Sequence, residues 1–325
     1  MAISNVYAAA HFALELDGKK EVSVFRSVEG GGVKADVMNY QPAANDVDKY
    51  QRWRLLGKPK FEDIKLQVGM AMSQPFYEWM KDFFDGVPTR KNGAIIAADF
   101  YYKERARRTF SAALIKEMTF PKLDATDKNA VYMNIALAVE DIAFTKGSGE
   151  ALPTQAKGFD VGQKHWTANN FSFSLQGFED HCRRVTKIDS FTIKQTIVEH
   201  HVGGFKAAIK TPSAIDYPNI TFYLPEADAQ PFFDHMQKRV GYGFTGNGDG
   251  KGYGNGEVRD TTTMHGSINT YDNELRPIFS LDFDGADIVS VTPDKGDATS
   301  EEIKMVKVEL YTEKMGFFYP LMELE

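Results

Sequence analysis

One stretch of this chain occurs twice, and that repeat constrains its fold more than any other feature. Gly93 to Phe144 lies on Gly266 to Phe317 without a gap, at a constant offset of 173. Fourteen of the 52 positions are identical, far more than composition alone supplies. They are Gly93/Gly266, Ile95/Ile268, Asp99/Asp272, Phe110/Phe283, Ala113/Ala286, Ile115/Ile288, Thr119/Thr292, Lys122/Lys295, the triplets Asp124-Ala125-Thr126 and Asp297-Ala298-Thr299, Leu137/Leu310, Glu140/Glu313 and Phe144/Phe317. Upstream, Phe12 to Gly18 answers Phe171 to Gly177, and Gln74-Pro75-Phe76-Tyr77 answers Gln230-Pro231-Phe232-Phe233. Two copies of one domain follow, each of ordinary domain size: residues 1–146 and 165–325, joined by a Gly-, Ser- and Pro-containing linker at 147–164.

Local patterns predict the same elements in each copy. Phe12, Leu14 and Leu16 alternate with polar or small residues, as Phe171, Phe173 and Leu175 do, which marks half-buried strands. A second strand is expected near Val22 to Phe25, a break at Gly30-Gly31-Gly32, and a strand over Val33 to Tyr40. Residues 41–57 are polar and irregular as far as Tyr50 and read as a long hairpin or β-arm, before Phe61 to Met70 returns as a strand. One helix per copy comes next. Ser73 is placed to cap it, Pro75 sits in its first turn, and Phe76, Trp79, Met80 and Phe83 form a stripe at helical spacing. Phe232, Phe233, Met236 and Val240 repeat the stripe, and Gly86 marks the first helix's end. The later segments are extended, with Met133, Ile135 and Leu137 matched by Val306, Val308 and Leu310. The fold class is therefore mainly β, a barrel or sandwich with one flanking helix per domain.

Functional chemistry is sparse. Net charge is −7, which argues against a general nucleic-acid-binding surface. The single cysteine, Cys182, excludes an intrachain disulfide. Neither a basic signal-peptide start nor an 18-residue apolar run is present, so no membrane insertion is expected. The second copy carries an insertion, Gly241 to Gly256, in which eight of sixteen residues are Gly. Lys251 is followed by Gly252 rather than Ser or Thr, and the loop follows a helix, so it does not fit a phosphate loop. Asn247 and Asp249 have calcium-loop spacing, but Lys251 and Val258 occupy ligand places. His200 and His201 are adjacent, so on a strand they face opposite ways and bind no ion together. Cys182 has no activating histidine pattern. The basic run Lys103 to Arg108 reads as a solvated hairpin or half of a charged subunit contact, and Glu140/Glu313 as a shared turn or inter-subunit contact. No catalytic, cofactor-binding or metal residue is assigned, and the chain is expected not to be an enzyme.

The densest stretch, Phe76 to Gly93, resembles the tube proteins of contractile phage tails and of contractile injection systems, relatives of the type VI secretion tube. Trp79, Gly86, Arg90, Lys91, Asn92 and Gly93 fit that family's pattern, as do Phe12 to Gly18, Leu55 to Leu66 and Val131 to Phe144. The second copy keeps Gln230-Pro231-Phe232, Gly266 and Glu313 but has His235 in place of the Trp and lacks the basic pair. The resemblance implies a β-barrel per domain and sixfold rings whose neighbouring inner strands join around a lumen. It also implies a stacking arm at residues 40–57, carried here by Asp46, Tyr50, Arg52, Trp53 and Leu55. Two domains per chain would give a homotrimeric, pseudo-hexameric ring, with a homohexamer as the alternative. Expected partners are other tube rings, sheath, and baseplate or spike proteins, with DNA or effectors passing through unbound. The implied setting is a virion tail or injection particle assembled in a bacterial cytoplasm. The role is inner tube or an initiating or capping ring; the alternative is an adaptor or receptor-binding baseplate part. Tyr242, Phe244 and Tyr253 are the aromatic residues such a binding surface would use.

Overall fold

The computed structural model describes residues 11–40, 53–152, 166–204, 207–240, 263–294 and 303–319. The first half runs β1 (His11–Leu16), β2 (Lys19–Gly30), β3 (Val33–Tyr40), β4 (Trp53–Phe61), β5 (Ile64–Met72), α1 (Gln74–Phe84), β6 (Lys91–Ala98), β7 (Glu104–Phe120), β8 (Leu123–Asp124), β9 (Met133–Ala138) and β10 (Asp141–Lys146). The second runs β11 (Phe171–Leu175), α2 (Glu179–Cys182), β12 (Lys187–Ile188), β13 (Phe191–His200), β14 (Ile209–Asp216), β15 (Ile220–Pro225), α3 (Gln230–Val240), β16 (Met264–Tyr271), β17 (Pro277–Pro293), β18 (Met305–Tyr311) and β19 (Lys314–Phe318). The mainly β class and the single long helix per half are both present. The short α2 has no counterpart in the first half.

The alternating residues turn inward as their period requires. Leu14, Met133, Leu137, Val306, Val308 and Leu310 all lie in the core with no exposure. Helix α1 begins after Ser73, whose backbone is extended, and holds Pro75 in its first turn. It stops at Gly86, whose φ of +72° favours glycine. Its buried face is wider than the stripe at 76, 79, 80 and 83, because Tyr77 and Phe84 are buried too. Those two face the other half of the chain.

In the first half the strands close on themselves. The order β7-β6-β1-β2-β5-β9 ends where β9 pairs back onto β7, which leaves that barrel no free edge. The second half repeats the order as β17, β16, β11 and β12, β15, β18, but β11 and β12 do not pair. The segment containing α2 separates them. The arms correspond residue for residue. Tyr40 pairs with Trp53 and His200 with Ile209, and both hairpins shift register at the equivalent place, between Ala35 and Val37 and between Gln195 and Ile197.

The identities in the repeat now have causes. A Cβ at Gly93 would meet the Phe110 ring at 2.8 Å as well as the Glu15 carbonyl, and one at Gly266 would meet the Ser174 carbonyl at 2.6 Å as well as the Phe283 ring. Glycine thus lets the same phenylalanine cross the same strand in both copies. Asp99 and Asp272 each collect two backbone N–H groups and an arginine: Tyr101, Lys103 and Arg105 in one case, Glu274, Arg276 and the Arg276 side chain in the other. They hold turns in which Tyr102 and Leu275 take the same left-handed conformation, φ 59° and 60°. Asp124 accepts from the Thr126 amide and hydroxyl, while the matching Asp297-Ala298-Thr299 triplet lies outside the described residues.

One prediction follows from the glycine contacts. Gly266→Ala should destabilise the protein by about 1–3 kcal/mol, the usual cost of forcing a methyl into a packed site. Gly177→Ala, where an added Cβ meets nothing within 4 Å but φ is +82°, separates backbone strain from packing. Denaturant midpoints measure both, and an unchanged midpoint for Gly266→Ala would contradict the packing explanation.

Candidate assembly interface

The two halves meet through strand edges. The tail of β7 pairs with β9 along one edge and leaves its other edge beyond the reach of β6. Phe120, Thr119, Met118 and Glu117 pair antiparallel with Phe191, Thr192, Ile193 and Lys194 of β13, so the second arm extends the first half's sheet. At this seam Phe120 stacks on Phe191 with ring centroids 5.3 Å apart, and the Thr119 and Thr192 hydroxyls lie 2.9 Å apart. Strand β8 reciprocates by pairing Leu123 and Asp124 with Ile188 and Lys187. One hydrophobic core runs through both halves.

Two further contacts flank the seam. The Lys210 amide in β14 donates to the Glu140 carboxylate at 2.7 Å, while Arg90 donates to the Lys210 carbonyl at 2.8 Å. One residue of the second arm is thus gripped at both backbone groups. On the other side Tyr77 stacks on Tyr319 at 3.6 Å, and Tyr77 and Phe84 stack on Phe317 at 6.1 and 5.9 Å.

The motif residues divide by task. Trp79 is buried, and its indole N–H donates to the Thr89 carbonyl at 3.0 Å, tying the helix to the loop beyond it. Gly86 ends the helix, and Arg90 reaches the second half. The Lys91 ammonium and the Asn92 amide bind the Asp17 carboxylate at 2.8 and 3.1 Å, and the Asn92 side-chain oxygen accepts from the Ala112 amide at 3.0 Å. Asp17 and Ala112 have positive φ, so Lys91 and Asn92 secure two strained backbone positions beside Gly93. The six residues thus link helix α1, the loop after it and the start of β6, and Arg90 joins them to the seam.

The arm residues are elsewhere. Trp53 and Leu55 lie on β4, both about half exposed, whereas Asp46, Tyr50 and Arg52 fall outside the described residues. Val33, Val37, Met38, Tyr40 and Leu56 are also exposed, so the β3–β4 arm presents large apolar side chains along its length. A two-stranded ribbon of this kind buries little of its own surface. Among the described residues of the β13–β14 arm, Val198 is the large apolar residue left exposed. Lys58 of the first arm donates to the Val202 carbonyl at the tip of the second, which places the arms side by side.

The basic run is committed to the barrel. Arg105 binds Asp99, Arg107 binds Glu15 and Glu104, and Arg108 donates to the Gly30 carbonyl. Lys103 and Arg105 stay exposed on the β6–β7 hairpin, and the arginines also serve the buried carboxylates at Asp99 and Glu104, which need partners. Burial pushes the Cys182 thiol up to about 12, so it is no thiolate at neutral pH. Among the described residues no group of His, Cys, Asp and Glu could hold a metal, and no helix is long and apolar enough to cross a membrane. The Gly241 to Gly256 insertion lies outside the described residues, as does most of the linker. One cluster escaped sequence reasoning. His235 and Arg239 both bind Asp287, His235 at 2.8 Å, where the first half has Trp79 and Leu114. The repeat offsets pair these positions, so an aligned exchange of apolar for charged residues was the available signal. Burial works to raise the Asp287 carboxyl, but Arg239 and His235 hold it below its ordinary value.

These features define a class: a duplicated β-barrel whose halves associate by strand pairing, with a projecting apolar arm. The family model described as "T4-like virus tail tube protein gp19" matches residues 8–163, just under half of the chain. Among solved structures, the chain is similar to one from the tube-terminating cap of the anti-feeding prophage, at 17% identity, covering 45% of this chain and 95% of that one, with a TM-score of 0.37. It is also similar to a chain of the sheath–tube complex of an extracellular contractile injection system, PVC, in the extended state, at 15% identity, 52% and 99% coverage and a TM-score of 0.33. A third is Hcp1 from Flavobacterium johnsoniae, at 10% identity, 46% and 94% coverage and a TM-score of 0.26. No curated protein matches.

The seam should be sensitive to acid. Asp124, on the strand that crosses to the second half, is lowered from 3.8 to about 2, first by its hydrogen bond with Lys122, against burial, and then by Thr126. A carboxyl depressed by folding stabilises above its unfolded value, and that contribution disappears as pH falls through the folded one. Stability should therefore drop between about pH 4 and pH 2, and Asp124→Asn should remove part of that drop while lowering the midpoint at pH 7. Denaturant melts across that range measure it; an identical pH profile in the variant would contradict the assignment.

Proposed function

We propose that this chain is a structural component of a contractile tail or injection system and forms a ring of the inner tube, or one that initiates or caps it. The carrying observation is the seam between the halves. A tail-tube domain is already joined to its own repeat by edge pairing within the chain, the kind of contact that builds a ring. Three chains supply six such domains, so the ring is a homotrimer with pseudo-sixfold symmetry. The first-half arm, with Asp46, Tyr50, Arg52, Trp53 and Leu55, stacks on the adjoining ring. Its exposed apolar residues support that role.

The arms favour a place at an end of the tube. Among the described residues one arm exposes more large apolar side chains than its neighbour, so the stacking surface alternates around the ring. An alternating surface suits a junction where a sixfold tube meets a threefold spike, cap or baseplate. The protein acts by assembly, and the cargo, DNA or effectors, passes without specific binding. Particle assembly in a bacterial cytoplasm is part of the same reading.

Negative-stain microscopy of the purified protein is the test. Rings with six lobes around a central hole are expected. Deleting Asn45 to Tyr50 should leave the rings and abolish stacking into tubes or completed tails. Undiminished stacking would remove the arm's role, and discrete particles without a central hole would remove the tube reading.

A further inference from the structure

We infer that the seam inside the chain is repeated between chains: the second half of one copy receives the first half of the next, through residues equivalent to those of the seam. The inference rests on the ring reading and assigns its interface. The equivalence comes from pairings already described. Val28 opposite Leu66 matches Ile188 opposite Phe222, which places Gly31 to Lys34 at the positions of Phe191 to Lys194. Arg54 matches Lys210 through the common hairpin register. The constant offset of the repeat matches Thr119 with Thr292, Glu140 with Glu313 and Phe144 with Phe317.

Burial separates the two sets. Ile193, which has the first half against it, has 0% exposure, whereas Val33 at the same position is 49% exposed. Phe317, packed on Tyr77 and Phe84, is 3% exposed, whereas Phe144 is 61% exposed. Lys210 is buried and Arg54 is exposed, and Glu140 is part-buried while Glu313 is exposed. The first half thus carries an uncovered copy of the surface that the second half buries. The second half carries the receiving strand: Ser290 to Pro293 pairs with β18 along one edge, and β19 pairs with β17 only from Ser280 to Asp284.

Docking one set onto the other gives a specific contact. Ser290, Val291, Thr292 and Pro293 run antiparallel to Lys34, Val33, Gly32 and Gly31 of the next copy. The Glu313 carboxylate accepts the Arg54 amide, as Glu140 accepts that of Lys210. Phe144 packs on α3 at Phe233, the counterpart of Tyr77. The contact is head-to-tail, so it builds a ring where its rotation closes after three chains, and not a twofold pair. It is weaker than the internal seam in two places, since Pro293 and Gly31 replace the stacked Phe120 and Phe191 and Pro293 has no N–H to donate. It can therefore form and release between chains while the internal seam stays shut.

Cysteine pairing tests this in the full chain. Gly32→Cys and Thr292→Cys, made separately and mixed, should give a disulfide-linked dimer on oxidation, because the equivalent hydroxyls in the seam are 2.9 Å apart. Each variant alone should give none, and the double variant should give a ladder ending at three chains. The native Cys182 is buried and should stay silent. Thr119→Cys with Thr192→Cys should form an internal bridge and serves as the control for geometry. Phe144→Asp and Glu313→Ala should each raise the concentration for half-assembly about tenfold or more, with the monomer melt unchanged. Rings seen by microscopy without the 32–292 bridge would overturn the docking and leave the ring reading intact. Absence of rings would overturn both, and a bridge formed by either variant alone would show a like-to-like contact and overturn the head-to-tail arrangement.

Discussion

Everything in this molecule depends on the length of β7. At 17 residues it is more than twice as long as β6, its neighbour in the barrel. Its first part pairs with β6 and β10, its middle turns at Ala112 into pairing with β9, and its last four residues leave an edge that the first half cannot fill. An open edge of backbone donors and acceptors must be paired or covered. The second half pairs it with β13, and the aromatic stack of Phe120 on Phe191 makes the seam part of the common core. The tandem chain is thus a single folded body whose internal junction has the form of an assembly contact.

The two copies have diverged where that position allows it. The first keeps a closed barrel, an apolar helix centred on Trp79 and an apolar arm. The second opens its barrel at α2, replaces the tryptophan with the His235, Asp287 and Arg239 cluster, and carries a more polar arm. A buried charged cluster of this kind costs stability unless its groups satisfy one another, as these do. The backbone constraints are shared. Gly93 and Gly266, Asp99 and Asp272, and the left-handed Tyr102 and Leu275 do the same work twice. The repeat is conservative at these backbone positions and variable in the helix packing, the barrel closure and the arm.

Much of this was legible in the sequence because it rests on local rules. Alternation located β1 and β11 to within a residue, whereas β2 (Lys19–Gly30) runs well beyond the Val22 to Phe25 expected for it; Ser73, Pro75 and Gly86 bracketed the first helix. The identical pairs pointed to Glu140, and the seam supplies its partner in Lys210. What could not be read was long-range. No local pattern shows that β13 leaves its own half to pair with β7, because edge pairing is made by backbone atoms that every residue has. Tyr77 and Phe84 look like ordinary helix residues until Phe317 arrives from another part of the chain. The partners of the basic run were hidden for a related reason: the carboxylates Asp99, Glu15 and Glu104 become neighbours of the arginines only once the hairpin is folded.

The central claim is that the chain carries two interlocking copies of one ring-forming surface, one already joined inside the molecule and one left for its neighbour. Native mass spectrometry of the isolated ring tests it most directly, because it counts chains without assuming a shape. The account predicts three chains per closed ring. Six chains per ring would contradict it, since one half of every chain would then lie outside the ring that the other half builds.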